Sequence, residues 1–525
     1  METDAKNGPV GATAGMLVRA VNPKWEFRLN RSEGVMFMKI DRRRFVSSAT
    51  VTGSMAAAFG LGLGGLGLAS PLRGAAAHPL PNFFVDLEHR TFRFFWERAN
   101  PANGMMPDRW PTPSFASIAA IGLALTAYPI GVERGWITRA DARQRTLTTL
   151  RFLSQLPMGE ASHGTAGYKG FFYHFLDMHS GLRYRDTELS TVDTTMLHLG
   201  ALYAAGWFNG DHADEAEIRR LVVELIDLAE WDWFQQADAK TGMAISMGWH
   251  PESGFIERAW DGYNEGKMVY ILALGSGRHP AKDGSWSVWT APYERFWRGE
   301  GDTRHLSFAA LCMHQYSEMW IDFREIYDAP MRSAGFDYFE NSRRETYANR
   351  AYCIANPMGW EGYSDTIWGI CACDGPGNFT LPYRGHSAQF SGYSARGPVG
   401  EPDGYDDGTL APTAAISSMP FAPEICVPAA LALHRQYGAR LYGEYGFHDS
   451  FNLSFRDTSV RVETGSVDAG TGWVASDWLG LDQGPILGML ANYRSEAVWR
   501  VMRKCPHIQR GLKRAGFTGG WLERV

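Results

Sequence analysis

The dominant pattern along the chain is helical, because apolar residues recur three and four positions apart with polar residues between them. Strand-like alternation is confined to short pieces such as 242–249 and 460–463, which predict small hairpins. The helical spacing predicts about a dozen helices, at 83–96, 114–128, 138–154, 190–206, 214–229, 264–274, 305–321, 333–350, 424–437, 484–493, 495–504 and 507–515.

This succession predicts an all-α fold, an (α/α)6 toroid or barrel with long loops and small β-hairpins. The sequence has no βαβ rhythm, which disfavours a Rossmann sheet or a TIM barrel. An α-solenoid is the alternative, but it requires a fixed repeat of about 30–50 residues that the sequence lacks. The stretch 355–422 is poor in helical pattern yet keeps aromatic residues such as Trp360 and Trp368. Those aromatics favour a loop over a functional site rather than a solvated linker.

The N-terminal segment 1–77 predicts an export leader. Its Arg42-Arg43-Arg44-Phe45 string resembles a twin-arginine motif, a Gly/Ala/Leu-rich apolar stretch follows, and Ala75-Ala76-Ala77 offers a cleavage site. Met36 and Met38 are alternative translation starts. A retained membrane anchor is the rival reading, but the many glycines and the cleavage site argue against stable insertion. We therefore expect the twin-arginine export machinery to deliver 78–525, a single catalytic domain, to the periplasm or the medium.

Charge and aromatic content narrow the class of ligand. Residues 78–525 hold 41 Lys+Arg and 52 Asp+Glu, a net charge of −11. Such an acidic exported chain disfavours nucleic acid and anionic polymers as partners. Aromatic residues make up 13% of the chain, with 19 tryptophans, and exposed rings can stack on sugars. A neutral oligosaccharide or polysaccharide is the expected substrate.

The six cysteines are too sparse for a disulfide scaffold, and buried free thiols are favoured over one or two disulfides. Cys371-Ala-Cys373 has no partner motif with zinc-ligand spacing. The sequence predicts no metal ion and no cofactor.

Three carboxylates stand where apolar helices should begin: Asp193, Glu265 and Asp482. If the inner helices of a barrel run parallel, these three starts gather at one mouth. Cleavage of a glycosidic bond needs one protonated carboxyl and one ionised carboxylate. Each acid also has a structural reading, since a carboxylate at a helix start satisfies free N–H groups and favours the dipole.

Further side chains are candidates for binding the substrate. They are aromatic, acidic or basic residues placed in loops or beside the three acids, namely Arg109, Tyr173, His174, Glu188, Trp260, Tyr263, Trp368 and Glu424. Glu188 precedes the helix of Asp193 and is expected to hold sugar hydroxyls or tune that acid. Core packing is the competing reading for His174 among its aromatic neighbours, and helix capping is the competing reading for Glu424.

Several ordered motifs resemble those of the bacterial glycoamylase-like family, a group similar to glycoside hydrolase family 144. They include Glu188-Leu-Ser-Thr-Val-Asp193-Thr, Gly248-Trp-His-Pro-Glu252, Tyr263-Asn-Glu265, Asp449-Ser-Phe-Asn452 and Leu481-Asp-Gln-Gly-Pro485. The resemblance spans roughly 82–517, nearly the whole of the predicted exported chain.

The resemblance implies an (α/α)6 barrel that hydrolyses β-1,2-glucan, in endo mode and with inversion. It implies a general acid at Glu265, a base-side carboxylate at Asp482 and a further essential acid at Asp193. An exo-acting hydrolase that releases sophorose and a transglycosylase are alternatives within the fold. A polysaccharide lyase with Tyr173 or His174 as base, and a non-catalytic glucan-binding protein, are alternatives outside the reaction class.

Overall fold

The computed structural model describes residues 80–238 and 240–525, so the predicted leader 1–77 lies outside the described residues. The described residues are mainly helical. Their α-helices are α1 Phe83–Arg98, α2 Ile118–Glu133, α3 Arg139–Gln155, α4 Thr191–Trp207, α5 Ala213–Asp227, α6 Trp231–Phe234, α7 Gly266–Gly275, α8 Ser285–Thr290, α9 Cys312–Trp320, α10 Ala329–Ala334, α11 Tyr338–Ala355, α12 Pro412–Ser417, α13 Pro423–Leu441, α14 Gly480–Ser495, α15 Trp499–Met502 and α16 Pro506–Arg514.

Six of these helices form an inner ring: α2, α4, α7, α9, α12 and α14. Packing joins α2 to α4, α4 to α7, α9 to α12, α12 to α14, and α14 back to α2. The remaining junction, between α7 and α9, carries a buried ion pair of Lys267 with Glu318 at 3.0 Å. Outer helices α1, α3, α5, α11, α13 and α16 pack against this ring. The arrangement is an (α/α)6 barrel, which confirms the predicted fold.

The inner helices are apolar on almost every side because neighbours surround them. Every residue of α7 is buried, as is nearly every residue of α2. Glycines permit the closest approach in the ring, between α2 and α4. A Cβ on Gly122 would lie 2.2 Å from the Met196 carbonyl oxygen, and one on Gly200 would lie 1.9 Å from the Gly122 carbonyl oxygen.

Some predicted helix boundaries were wrong. The segment 305–321 begins as a strand at His305–Leu306, and α9 starts only at Cys312. The segment 333–350 is divided between α10 and α11, because Gly335 adopts the left-handed conformation (φ 81°) and ends α10. Inner helix α12 escaped prediction because its six residues are too few to show a period.

The strands are short and decorate the ends of the helices. The hairpin predicted at 242–249 is only partly correct. Residues 248–249 begin the strand Gly248–His250, which pairs with Leu189–Ser190 and Gly254–Phe255, whereas 242–247 and 460–463 form no strand. The strands are β1 Arg109–Trp110, β2 Ala116–Ser117, β3 Gly167–Tyr168, β4 Phe171–Phe172, β5 Phe175–Leu176, β6 Leu189–Ser190, β7 Gly248–His250, β8 Gly254–Phe255, β9 Trp297–Arg298, β10 His305–Leu306, β11 Phe379–Tyr383, β12 His386–Phe390, β13 Tyr442–Gly443, β14 Gly446–Phe447, β15 Phe451–Asn452, β16 Ser466–Asp468, β17 Gly472–Val474 and β18 Trp478–Leu479.

The six cysteines all carry free thiols, and five of them are buried, as the sequence reading favoured. Within the part of the chain that the structure describes, no helix combines the length and the apolar character needed to cross a membrane.

Candidate active site

A cavity opens where the N-terminal ends of inner helices α4, α7 and α9 meet. The loop stretch 355–422 contributes two residues to its wall, so this stretch borders the cavity. The lining residues are His174, Glu188, Ser190, Val192, Asp193, Met196, Met247, Trp260, Asn264, Glu265, Phe308, Met313, Tyr316, Ala372 and Tyr393. Asp193 and Glu265, predicted at two helix starts that are distant in sequence, therefore line the same cavity.

Asp193 belongs to a compact polar network at the start of α4. Ser190 is the N-cap, and its hydroxyl accepts from the Asp193 backbone N–H and donates to Asp193 Oδ2 at 2.6 Å. His174 lies between two carboxylates, with Nε2 at 3.4 Å from Asp193 Oδ2 and Nδ1 at 3.2 Å from Glu188 Oε1. Ser190 thus caps α4, and the Asp193 and Glu188 side chains line the cavity.

Glu265 occupies the N-cap position of α7, but its carboxylate makes no capping hydrogen bond to the helix. The Asn264 side-chain oxygen instead accepts from the Gly266 backbone N–H at 2.9 Å. A Cβ on Gly266 would meet Asn264 Oδ1 at 2.7 Å and Trp260 Cβ at 3.0 Å, so the glycine serves packing. Glu265 itself lines the cavity.

Asp482 lies in the first turn of α14 and is buried; it is not among the residues that line the cavity. Its carboxyl interacts with that of Asp449, and one buried oxygen of each has no hydrogen-bond donor among the described residues. Burial and then the charge of Asp449 raise the pKa of Asp482 well above its ordinary value. Burial and then the charge of Asp374 raise the pKa of Asp449 to about 7. Two buried carboxylates in contact cannot both ionise easily, so this pair shares a proton.

Arg109 anchors the acidic cluster next to this pair and does not line the cavity. Its Nη1 lies 2.6 Å from Asp374 Oδ2 and 3.6 Å from Asp477 Oδ2, and its Nε lies 3.3 Å from Asp108 Oδ2. The Asp374 backbone N–H donates to Asp449 Oδ2 at 2.8 Å. The prediction that Arg109 contacts the substrate was therefore wrong for this cavity. Arg109 instead begins a series of contacts that runs through Asp374 and Asp449 to Asp482.

The other predicted binding residues divide between the cavity and the interior. Trp260 lines the cavity and donates its indole N–H to Thr191 Oγ1 at 2.9 Å. Tyr263 is buried, with its hydroxyl 3.2 Å from His314 Nδ1. Tyr173 is buried beneath the Arg183 guanidinium.

Two more predicted contacts are corrected by burial or position. Trp368 is fully buried and lines no part of this cavity, because it packs in the core. Glu424 begins α13 but faces outward, where it pairs with Arg343 at 2.6 Å and accepts from the Tyr347 hydroxyl. Neither side chain reaches a sugar in the cavity.

Sequence reasoning missed several groups of the site, notably Asp449, Asp374, Met313, Tyr316 and Tyr393. The only signal for Asp449 was its place in one of the family-like motifs. No spacing rule identifies the others, since they come from separate loops or from the short inner helix α9.

An (α/α)6 barrel whose inner-helix starts carry acids around an aromatic-lined cavity defines a carbohydrate-active class of protein. Residues 257–506 match the family model described as "Glycoamylase: Putative glucoamylase". A crystal structure described as a putative glucoamylase from Bacteroides uniformis is 30% identical, with a TM-score of 0.70, over 85% of this chain and 99% of that one. The chain belongs to the glycoamylase-like family.

Two relatives are named for β-1,2-linked glucans. An exo beta-1,2-glucooligosaccharide sophorohydrolase (non-reducing end) from Parabacteroides distasonis is 27% identical over 458 residues, which are 82% of this chain; the chain spans 57% of that relative's length. A crystal structure of a beta-1,2-glucanase from the same species is 26% identical, with a TM-score of 0.69, and covers 84% of this chain and 60% of that one. This chain is therefore related to β-1,2-glucan-active glycoside hydrolases.

Proposed function

We propose that the chain is a glycoside hydrolase that cuts β-1,2-glucan within the chain and inverts the anomeric centre. The observation that carries the proposal is the meeting of Asp193 and Glu265 in one cavity bordered by Trp260, Tyr316 and Tyr393. The rings offer faces for sugars, and the acids offer proton donors and acceptors. The two relatives named for β-1,2-glucans support the choice of substrate.

Glu265 is the proposed general acid. It lines the cavity, where its carboxyl would protonate the leaving oxygen of the scissile bond. In the proposed step, the bond between C1 and the glycosidic oxygen breaks while that oxygen takes the Glu265 proton. A water molecule then forms the new bond to C1. Asp193, held by Ser190 and His174, and Glu188 orient sugar hydroxyls beside it.

Asp482 is the proposed base-side carboxylate, and it acts at a distance from the sugar. Because Asp482 does not line the cavity, the proton of the attacking water reaches it through a hydroxyl or water chain. Asp449 shares a proton with Asp482 and sets the pH at which the pair accepts another. Inversion fits this arrangement, since the proposed base acts through water and not as a covalent nucleophile.

The composition of the cavity disfavours a polysaccharide lyase. Three acids line it, and neither lysine nor arginine occurs among the described residues that do so. A uronate substrate would meet repulsion from Glu188, Asp193 and Glu265 without a cation to offset it. A non-catalytic glucan-binding protein is the remaining alternative, and it predicts that Glu265→Gln leaves sugar release unchanged because there is none to lose.

An exo mode that releases sophorose from the non-reducing end is the second candidate, because one relative is named for that activity. Incubation of the purified chain with linear β-1,2-glucan, with product sizes followed over time, separates the modes. Endo cleavage yields a falling ladder of intermediate lengths at early times, whereas exo cleavage yields sophorose from the first time point. Absence of any product would overturn the proposal itself.

We also propose delivery to the periplasm through the twin-arginine machinery. The support is the sequence of the leader alone. Replacement of Arg42 and Arg43 by lysine should leave the chain in the cytoplasmic fraction of a Gram-negative host. Unchanged periplasmic recovery of that variant would contradict this route.

A further inference from the structure

A second cluster of ligand-type side chains lies apart from the lining of the cavity. It consists of His305 of β10, Glu345 of α11 and Glu401 of the loop between β12 and α12. One ligand atom from each of the three lies within 4.8 Å of the others. His305 is only 4% exposed and Glu345 is fully buried. None of the three belongs to the proposed reaction.

The hydrogen bonding of His305 indicates that a proton or a metal cation lies between its Nε2 and Glu345. His305 Nδ1 lies 2.7 Å from the Thr303 carbonyl oxygen, which can only accept, so Nδ1 carries the proton. In the neutral ring, Nε2 then presents a lone pair to Glu345 Oε2 at 3.1 Å. A lone pair and a carboxylate at that distance repel unless a proton or a metal ion lies with them.

The surrounding carboxylates also need a partner. Apart from the 3.1 Å contact of His305 Nε2 with Glu345 Oε2 and the nearby Ser307 hydroxyl, the two Glu345 oxygens, Glu401 Oε2 and His305 Nε2 are buried without a hydrogen-bond partner among the described residues. Two buried carboxylates with unsatisfied oxygens are costly in a protein interior. A single divalent cation would offset both charges and engage the unsatisfied atoms together.

We propose that His305, Glu345 and Glu401 form a structural site for a divalent transition-metal ion of the zinc class. Imidazole nitrogen with two carboxylate oxygens is a donor set that zinc accepts. The 3.1 Å between His305 Nε2 and Glu345 Oε2 is close to the edge of a zinc tetrahedron, about 3.4 Å for bonds of about 2.1 Å. The Thr303 carbonyl accepts from His305 Nδ1–H and so fixes the imidazole tautomer, with Nε2 directed to the ion.

The ion would fasten three separate segments next to the substrate cavity. Ser307 and Phe308 follow His305, and Phe308 lines the cavity. Glu401 belongs to a loop stretch that also places Tyr393 in the cavity wall. Binding therefore stabilises the barrel wall and holds the loop beside the cavity, while the reaction itself requires no metal step.

The test is zinc binding by the full chain after chelator treatment. Isothermal titration with Zn²⁺ should give one saturable site, and the thermal unfolding temperature should rise until that site is filled. Substitution with Co²⁺ should give the visible absorption bands of a low-coordinate site. Mg²⁺ should give no comparable response, because it prefers six oxygen ligands.

Substitution of the proposed ligands tests whether the ion binds at His305, Glu345 and Glu401. Glu401→Gln and His305→Gln should lose the saturable binding and the rise in unfolding temperature. Glu340→Gln, on the same helix as Glu345 but paired with Arg344, should keep both. Glu401→Gln is the primary variant because Glu401 lies on a loop; its circular dichroism must match that of the wild type.

Two outcomes would overturn the proposal. One is absence of saturable Zn²⁺ binding by the wild type, which would leave a shared proton between these side chains. The other is binding that survives in Glu401→Gln and His305→Gln but disappears in Glu188→Gln, which would place the ion among the acids of the substrate cavity.

Discussion

The carboxyl groups of Asp449 and Asp482 interact in the barrel interior, where one buried oxygen of each has no hydrogen-bond donor among the described residues, although the two residues come from different segments of the chain. Asp449 follows β14 in a loop, and Asp482 lies in the first turn of α14. Burial raises the pKa of both groups. The pair thus holds a proton, and its titration should appear in both activity and stability.

Replacement of Asp449 by asparagine should extend glucan hydrolysis to lower pH. The change removes a neighbouring negative charge, and the new amide can donate to Asp482, so the pKa of Asp482 falls. The ionised base is then available at lower pH. The acidic limb of the kcat/KM profile should move down by about one pH unit or more. An unchanged or upward-shifted limb would show that Asp482 is not the titrating base.

The same substitution should change how stability depends on pH. The folded pKa of Asp449 is about 7, above the ordinary value of 3.8, so the folded state holds a proton that the unfolded chain releases. Its contribution to stability is complete below about pH 4 and is lost as pH rises through about 7. Between about pH 4.5 and pH 8 the free energy of unfolding of Asp449→Asn should rise relative to the wild type by about 1–3 kcal/mol.

Urea unfolding at several pH values measures this difference. Asp283→Asn is the control, since the Asp283 side chain is 82% exposed and pairs with Arg514 at the surface. The control should run parallel to the wild type across the range. A difference curve for Asp449→Asn that is flat, or that slopes the other way, would exclude a proton held by this pair.

The ion pair of Lys267 and Glu318 should be costly to break from one side. Both side chains are fully buried, and burial raises the pKa of Glu318 to about 7 while lowering that of Lys267. Lys267→Met leaves the carboxylate without its partner and should cost about 3–5 kcal/mol of the free energy of unfolding. The cost should be larger at about pH 8 than at about pH 5, where Glu318 can take up a proton.

The double variant Lys267→Met with Glu318→Met should recover much of that loss, because two apolar side chains can fill the space of a buried ion pair. Chemical denaturation of the single and double variants measures the coupling. Arg220→Ala breaks an exposed pair with Glu224 and should cost less than about 1 kcal/mol. A double variant as unstable as Lys267→Met would show that the pair contributes more than charge compensation.

The fold and two acids of the candidate site, Asp193 and Glu265, could be predicted from the sequence for a definite physical reason. Inner helices α4 and α7 are apolar and begin at polar residues, so their starts at Ser190 and Glu265 were visible as local patterns. Their meeting followed from the parallel ring. The patterns could not show how deeply each acidic side chain is buried. Asp482 has the same sequence context as the other two acids, yet its side chain is buried against Asp449.

For the same reason, the environment of a side chain that depends on distant segments could not be predicted from the sequence. Trp368 looks like a loop aromatic but is buried in the core, and Arg109 pairs with Asp374, which is 265 positions away. The cluster of His305, Glu345 and Glu401 has no motif spacing, because three separate elements bring it together. Contacts of this kind depend on the closure of the barrel and not on any local period.

The most direct test of the account is the activity of Glu265→Gln on two substrates. On β-1,2-glucan, kcat should fall by about 10²–10⁴-fold, because the leaving oxygen needs a proton from Glu265. On a dinitrophenyl glycoside of sophorose, whose leaving group departs without protonation, activity should stay within about tenfold of the wild type. Glu340→Gln should match the wild type on both substrates. Equal losses on the two substrates, or full activity on glucan, would contradict the assignment of Glu265 as the general acid.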